Sequence, residues 1–204
     1  MLALALTCFG SFFAPATHST GSHLWVVHEI FSNADGTVQF VELHECCGAS
    51  NEVNLANKSV TSDATGLVFT FTENITGDTA NRYLLLGTSG FAALPGAPTP
   101  DHIVPDGFFD PSGDTLRWHI YPAAVLTFAP GELPMDGTSS LLQDGTTGIN
   151  TPTNYAGQSG TISLGTPVPT QSVGALVFLA VASVLVGAFM LMRRRPGQAL
   201  ATER

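Results

Sequence analysis

The chain has 204 residues, a formal net charge of -9, 11% charged residues, 21 glycines and 13 prolines. That length gives one domain with a real core rather than a multidomain machine, and the weakly charged, turn-rich composition favours short strands over helices. Residues 17–172 hold 15 acidic side chains against Lys58, Arg82 and Arg117, a balance near -12 that phosphate backbones would repel; nucleic acid is excluded as a partner, while divalent cations and basic partners are not.

Residues 2–16 are apolar and small and end in Ala14-Pro15-Ala16, the small-x-small form of a signal-peptidase site. Residues 1–16 are therefore expected to be a signal peptide, one lacking the usual basic start; the alternative is a first strand of the domain. Cys8 falls inside this apolar run.

The domain is expected over residues 17–164. Residues 24–31 are almost continuously apolar apart from His28 and Glu29, and residues 38–45 alternate, with Val41 and Leu43 opposite Phe40 and Glu42. Both predict strands, and Asn33-Ala34-Asp35-Gly36 between them, rich in residues that tolerate positive φ, predicts a β-hairpin. Further strands are expected over residues 67–72, 82–87, 115–121, 125–128 and 161–164, with one helical turn over 90–94. Residues 95–105, with four prolines, predict a long surface loop, and residues 145–172 a Gly/Thr/Pro/Ser-rich linker interrupted only by the 161–164 strand, with residues 165–172 leading out of the domain. Many short strands without helical periodicity predict an all-β fold, a β-sandwich.

Glu29 and Glu42 lie on the two hairpin strands. With Asp35-Gly36 as the centre of a two-residue turn the carboxylates face each other, a pair able to bind Ca²⁺ or share a proton. With a turn one residue longer, His28 faces Glu42 instead, and the sequence leaves the register open. Cys46 and Cys47 can form a vicinal disulfide, remain free thiols, or join His44 in a soft-metal site that would need further ligands. The acidic turns at Asp35, Asp106, Asp110 to Asp114, Asp136 and Asp144 share the composition of calcium loops but not the spacing of an EF-hand. His102 and His119 have no spaced partner, no Ser sits in a nucleophile elbow, and Trp25 and Trp118 are expected in the core. His18 and His23 are expected to be solvated, and the sequons at Asn57 and Asn74 are patterns that arise often by chance.

The C-terminal segment starts at Val173 and ends at Met192 without a charge, long enough as a helix to span a hydrocarbon layer of about 30 Å. Arg193, Arg194 and Arg195 follow at once and set residues 193–204 on the cytoplasmic side, the domain outside.

Val168-Pro169-Thr170, the apolar span and the three arginines together resemble the tripartite sorting signals of the PEP-CTERM type, though without a Glu after Pro169 and with a tail beyond the arginines. The resemblance implies an exosortase-like enzyme of a Gram-negative envelope as partner, and removal of the span. Val27-His28-Glu29-Ile30-Phe31 with Gln39-Phe40-Val41-Glu42-Leu43, then residues 82–87 and 113–116, resemble a lamin-tail-like domain; His44-Glu45-Cys46-Cys47 stands where that family has Tyr-Asn. This implies an immunoglobulin-like sandwich, found in secreted bacterial proteins as an accessory or adhesion module, with no conserved catalytic set. The expectation is an exported, membrane-anchored surface module without catalytic activity, binding an extracellular protein or polysaccharide. The alternative is an extracellular carboxylate- or Ca²⁺-dependent hydrolase using Glu29, Glu42 or the loop acids.

Overall fold

The structure is a computed structural model that describes residues 21–165, except 120, 122 and 123. The signal peptide, most of the 165–172 linker, the 173–192 span and the basic tail lie outside the described residues. Among those described, no helix is long and apolar enough to cross a membrane.

Among the described residues ten strands and one short helix follow one another: β1 (Trp25–Ser32), β2 (Gln39–Glu45), β3 (Ser59–Ser62), β4 (Val68–Thr70), β5 (Tyr83–Thr88), α1 (Ser89–Ala92), β6 (His102–Val104), β7 (Asp114–Trp118), β8 (Val125–Phe128), β9 (Ser139–Leu142) and β10 (Thr147–Ile149). They form a six-stranded sheet in the order β10-β9-β1-β2-β5-β6 and a four-stranded sheet in the order β4-β3-β7-β8. The all-β, sandwich-like expectation is met. All pairings are antiparallel except β5 with β6, whose connection from Ser89 to Asp101 is long enough for a parallel crossover.

The two sheets enclose a core built from Trp25, Val27, Ile30, Val41, Leu43, Leu84 and Leu86 of the large sheet and Val60, Leu116, Trp118, Leu126 and Phe128 of the small one. Both expected core tryptophans are fully buried. Their indole N–H groups donate to backbone carbonyls, Trp25 to Glu52 at 2.8 Å and Trp118 to Ser22 at 2.7 Å, which removes the cost of burying a donor.

The large sheet is also covered on its other face. Phe31, Phe40 and Leu85 pack there against Phe91 of α1 and against Ile162, with Leu94, Ala97 and Leu164 at the margin. Strands buried on both sides need apolar residues at consecutive positions, which is why residues 24–31 carry a near-continuous apolar run. The Thr88 hydroxyl caps α1 by accepting from Phe91 N and itself donates to Thr37 O at 2.8 Å, and Gly87 lets the Phe91 ring lie on the strand: a Cβ there would meet Phe91 Cδ1 at 2.6 Å.

Residues 161–164 are not a strand, and residues 145–164 are not a linker. Thr147–Ile149 is β10, and the chain that follows crosses the outer face of the large sheet as a strap. Asn150, fully buried, pins it: its side chain donates to Thr138 O at 2.5 Å and Ile162 O at 2.8 Å and accepts from Ile162 N at 2.8 Å. Part of the 95–105 loop is β6, held in register on β5. These short segments lack β-periodicity because one face or one edge of each is all that packs.

Candidate functional site

The hairpin forms with Ser32 opposite Gln39 and Glu29 opposite Glu42, the register centred on Asp35-Gly36. Asn33 N donates to Val38 O at 3.0 Å, Gly36 N to Asn33 O at 3.2 Å, and Gly36 takes φ 72°. Between Val27 and Glu29 the register shifts by a β-bulge. Val27 and Ile30 both point into the core, so the extra residue leaves His28 and Glu29 side by side on the outer face. Of the two registers left open by the sequence, the one with Glu29 opposite Glu42 forms; His28 does not face Glu42 but is the unpaired residue of the bulge.

Glu29 and Glu42 are each 1% exposed, closed over by the strap. Glu29 Oε1 accepts from Ser140 Oγ at 2.5 Å and Thr151 N at 2.9 Å, and Glu42 Oε2 accepts from Thr153 N at 2.6 Å. Burial, reinforced by the Glu29 charge and opposed by the Thr153 amide, pushes the Glu42 carboxyl up to about 9. At neutral pH Glu42 therefore holds a proton. Two carboxylates in one dry site cannot both ionise at ordinary cost.

Further along the same face lie three rings. His44 stacks on Tyr83 at 4.5 Å between centroids, and His28 lies 5.2 Å from His44 and 5.8 Å from Tyr83. All three are half-buried. Burial lowers the pKa of both imidazoles; His28 also opposes protonation of His44, while Glu29 and Asp144 pull His28 the other way. Burial, then the Glu42 and Glu29 charges, raises the Tyr83 phenol.

Cys46 and Cys47 are joined as a vicinal disulfide on the exposed turn after β2. The turn is held from below by the buried Glu45 carboxylate, which accepts from Cys47 N at 3.1 Å, Gly48 N at 2.9 Å and Asn81 N at 2.9 Å, while Cys46 N donates to Leu24 O at 3.0 Å. Glu45→Ala would leave three amides without that acceptor; a loss of roughly 2–3 kcal/mol in chemical denaturation is expected, with the loop around Asn81 losing exchange protection first.

The loop acids are engaged in their own turns. Asp35 Oδ1 accepts from Thr37 N and Oγ1, Asp144 Oδ1 from Thr146 N and Oγ1, and Asp136 from Thr138 N and both Ser139 donors, which brings Asp136 down to about 2. Asp114, almost buried, accepts from Ser62 Oγ at 2.5 Å, Ala64 N at 2.9 Å and Asp110 N at 3.0 Å. It lines an open depression of about 340 Å³ with Asp63, whose carboxylate is paired to Arg117 at 2.6 Å. Among the described residues no group of three or more His, Cys, Asp or Glu side chains is placed to hold a metal ion, so neither the Glu29 and Glu42 pair nor His44 with Cys46 and Cys47 belongs to such a group. The half-buried His102 packs on Phe69 and Phe71.

What the outer face offers is a ring platform of His28, His44 and Tyr83, open to solvent, standing beside a closed carboxylate pair. Sequence reasoning singled out His44, the two glutamates and, as a partner of Glu42, His28, but not Tyr83 or the pairing of His28 with His44. The signal that could have found them is register: Tyr83 pairs with His44 across β5 and β2. No protein-family model, curated protein or solved structure matches this chain.

Proposed function

We propose that the protein is a non-catalytic surface module of a bacterial envelope, exported by residues 1–16, tethered by residues 173–192, and presenting an immunoglobulin-like sandwich of the lamin-tail-like kind to an extracellular protein or polysaccharide. The observation that carries the reading is the closure of the carboxylate pair: Glu29 and Glu42 converge, as a hydrolase would need, but each is 1% exposed and bonded to the strap, out of reach of a polymer. Among the described residues every buried side-chain nitrogen and oxygen has a hydrogen-bond partner, so no buried donor or acceptor waits for a substrate.

The tether supports the same reading from sequence: an uncharged segment of spanning length, then Arg193 to Arg195, with Val168-Pro169-Thr170 ahead of it, similar to an exosortase-type signal but without its Glu. Expressed in a two-membrane bacterium, the full chain is expected in the membrane fraction with the domain open to protease added to spheroplasts. A chain ending at residue 172 is expected in the soluble envelope fraction or the medium. Retention of the shortened chain in membranes would remove the anchor from the reading, and a mature chain still ending at Arg204 would remove sorting by cleavage.

A further inference from the structure

We propose that His28 and His44 form a binding site for a borderline divalent transition-metal ion of the Zn²⁺, Ni²⁺ or Cu²⁺ class, with solvent completing the coordination shell. The local backbone supplies the first argument. The β-bulge in β1 carries His28 onto the outer face, where its ring lies 5.2 Å from His44 on the neighbouring strand, and bulges characteristically re-aim one side chain in this way.

The spacing supplies the second. An ion bound to two imidazole nitrogens at about 2.1 Å with a near-tetrahedral angle needs ring centroids roughly 5 Å apart. Bringing a nitrogen of each ring to one point requires the His28 ring above all to turn about its last side-chain bond, a broad torsion in histidine. Tyr83, stacked on His44 with 20° between planes and 5.8 Å from His28, packs against both rings.

Chemistry selects the ion. Imidazole ligates through an unprotonated nitrogen, and both rings lie half-buried beside each other. Imidazole ligands suit Zn²⁺, Ni²⁺ and Cu²⁺, whereas Ca²⁺ and Mg²⁺ want oxygen, and the Glu29 carboxylate, which acts on His28, is bonded to Ser140 and Thr151. The Asp144 carboxylate acts on His28 through its charge, and an acidic surface raises the local cation concentration. Two protein ligands leave coordination positions free, so the site is an open one.

The test uses the tag-free full chain in detergent, titrated with Cu²⁺ and followed by electron paramagnetic resonance and equilibrium dialysis. One ion per chain is expected, with nitrogen hyperfine structure from two imidazoles. His28→Ala and His44→Ala are each expected to weaken binding by at least about tenfold, since even outer-shell partners of a metal are worth roughly 10–100-fold. A His18→Ala/His23→Ala double variant and a Cys46→Ser/Cys47→Ser double variant are expected to bind as the parent does. Spectra of the parent chain with fewer than two nitrogen ligands, or with sulfur, overturn the proposal without reference to any variant; so does undiminished affinity in folded His28→Ala and His44→Ala proteins.

Discussion

Glu42→Gln is expected to make the protein more stable at pH 8, by about 2–4 kcal/mol, and to leave it nearly unchanged at pH 4. The unfolded chain releases the Glu42 proton near 4.5, whereas the folded chain keeps it to about 9 because the carboxyl is buried opposite Glu29. Between those values the folded state binds one more proton than the unfolded state, so stability falls as pH rises, by up to about 1.4 kcal/mol per pH unit. The sign follows from a raised acid pKa: the favourable contribution is complete below 4.5 and is lost as pH climbs towards 9. Glutamine keeps the shape and the oxygen that accepts from Thr153 N but has no charge to desolvate.

Thermal melts of parent and variant from pH 4 to 9 measure the difference directly. For a domain of this size the gain at pH 8 corresponds to roughly 5–15 °C in Tm. The comparison cancels groups of opposite sign, such as Asp136, whose lowered pKa removes stability only in strong acid. A variant no more stable than the parent at pH 8, or a gap that does not close in acid, would contradict a protonated Glu42.

Asn150→Ala is expected to loosen the strap and to cost about 3–5 kcal/mol. Asn150 is fully buried, and its side chain satisfies both Ile162 N and Ile162 O as well as Thr138 O. Alanine leaves those backbone groups buried without that partner, each at roughly 1–3 kcal/mol, unless the strap lifts and exposes them to water. Lifting is the cheaper response, and it withdraws Ile162 from Phe31, Phe40 and Leu85 and the Thr151 and Thr153 amides from Glu29 and Glu42. Hydrogen exchange should then show protection lost over residues 150–164 and at β1 and β2 on the outer face, with the inter-sheet core retained. Limited proteolysis should cut first within the same segment. Uniform loss of protection across both sheets would mean that the strap and sandwich unfold as one unit.

Strong local patterns were legible without the fold. The apolar runs flanking Asn33-Ala34-Asp35-Gly36 marked the hairpin, residues 125–128 marked β8, and the acidic turns were recognisable as turns because an Asp side chain bonds the amide two residues on. Those signals are local, so adjacent residues carry them whole. The β9 strand, β6 inside a proline-rich stretch and the packed course of residues 150–164 were not legible, because each is held by partners distant in sequence: Ile162 by Asn150 and Phe40, His102 by Leu86. Packing and register are long-range terms, and a strand of three or four residues carries too little periodicity to announce them.

The same division runs through the outer face. The sequence by itself determined an acidic, strand-rich domain and the presence of Glu29, Glu42, His44, Cys46 and Cys47 at the end of one hairpin. Only the tertiary structure decided that a bulge at His28 sets two imidazoles together, that Tyr83 comes in from β5 to stack on His44, and that the strap seals the carboxylate pair away from solvent. A bulge moves side chains by shifting register, and burial depends on what covers a group; neither is a property of the residues that bear the chemistry.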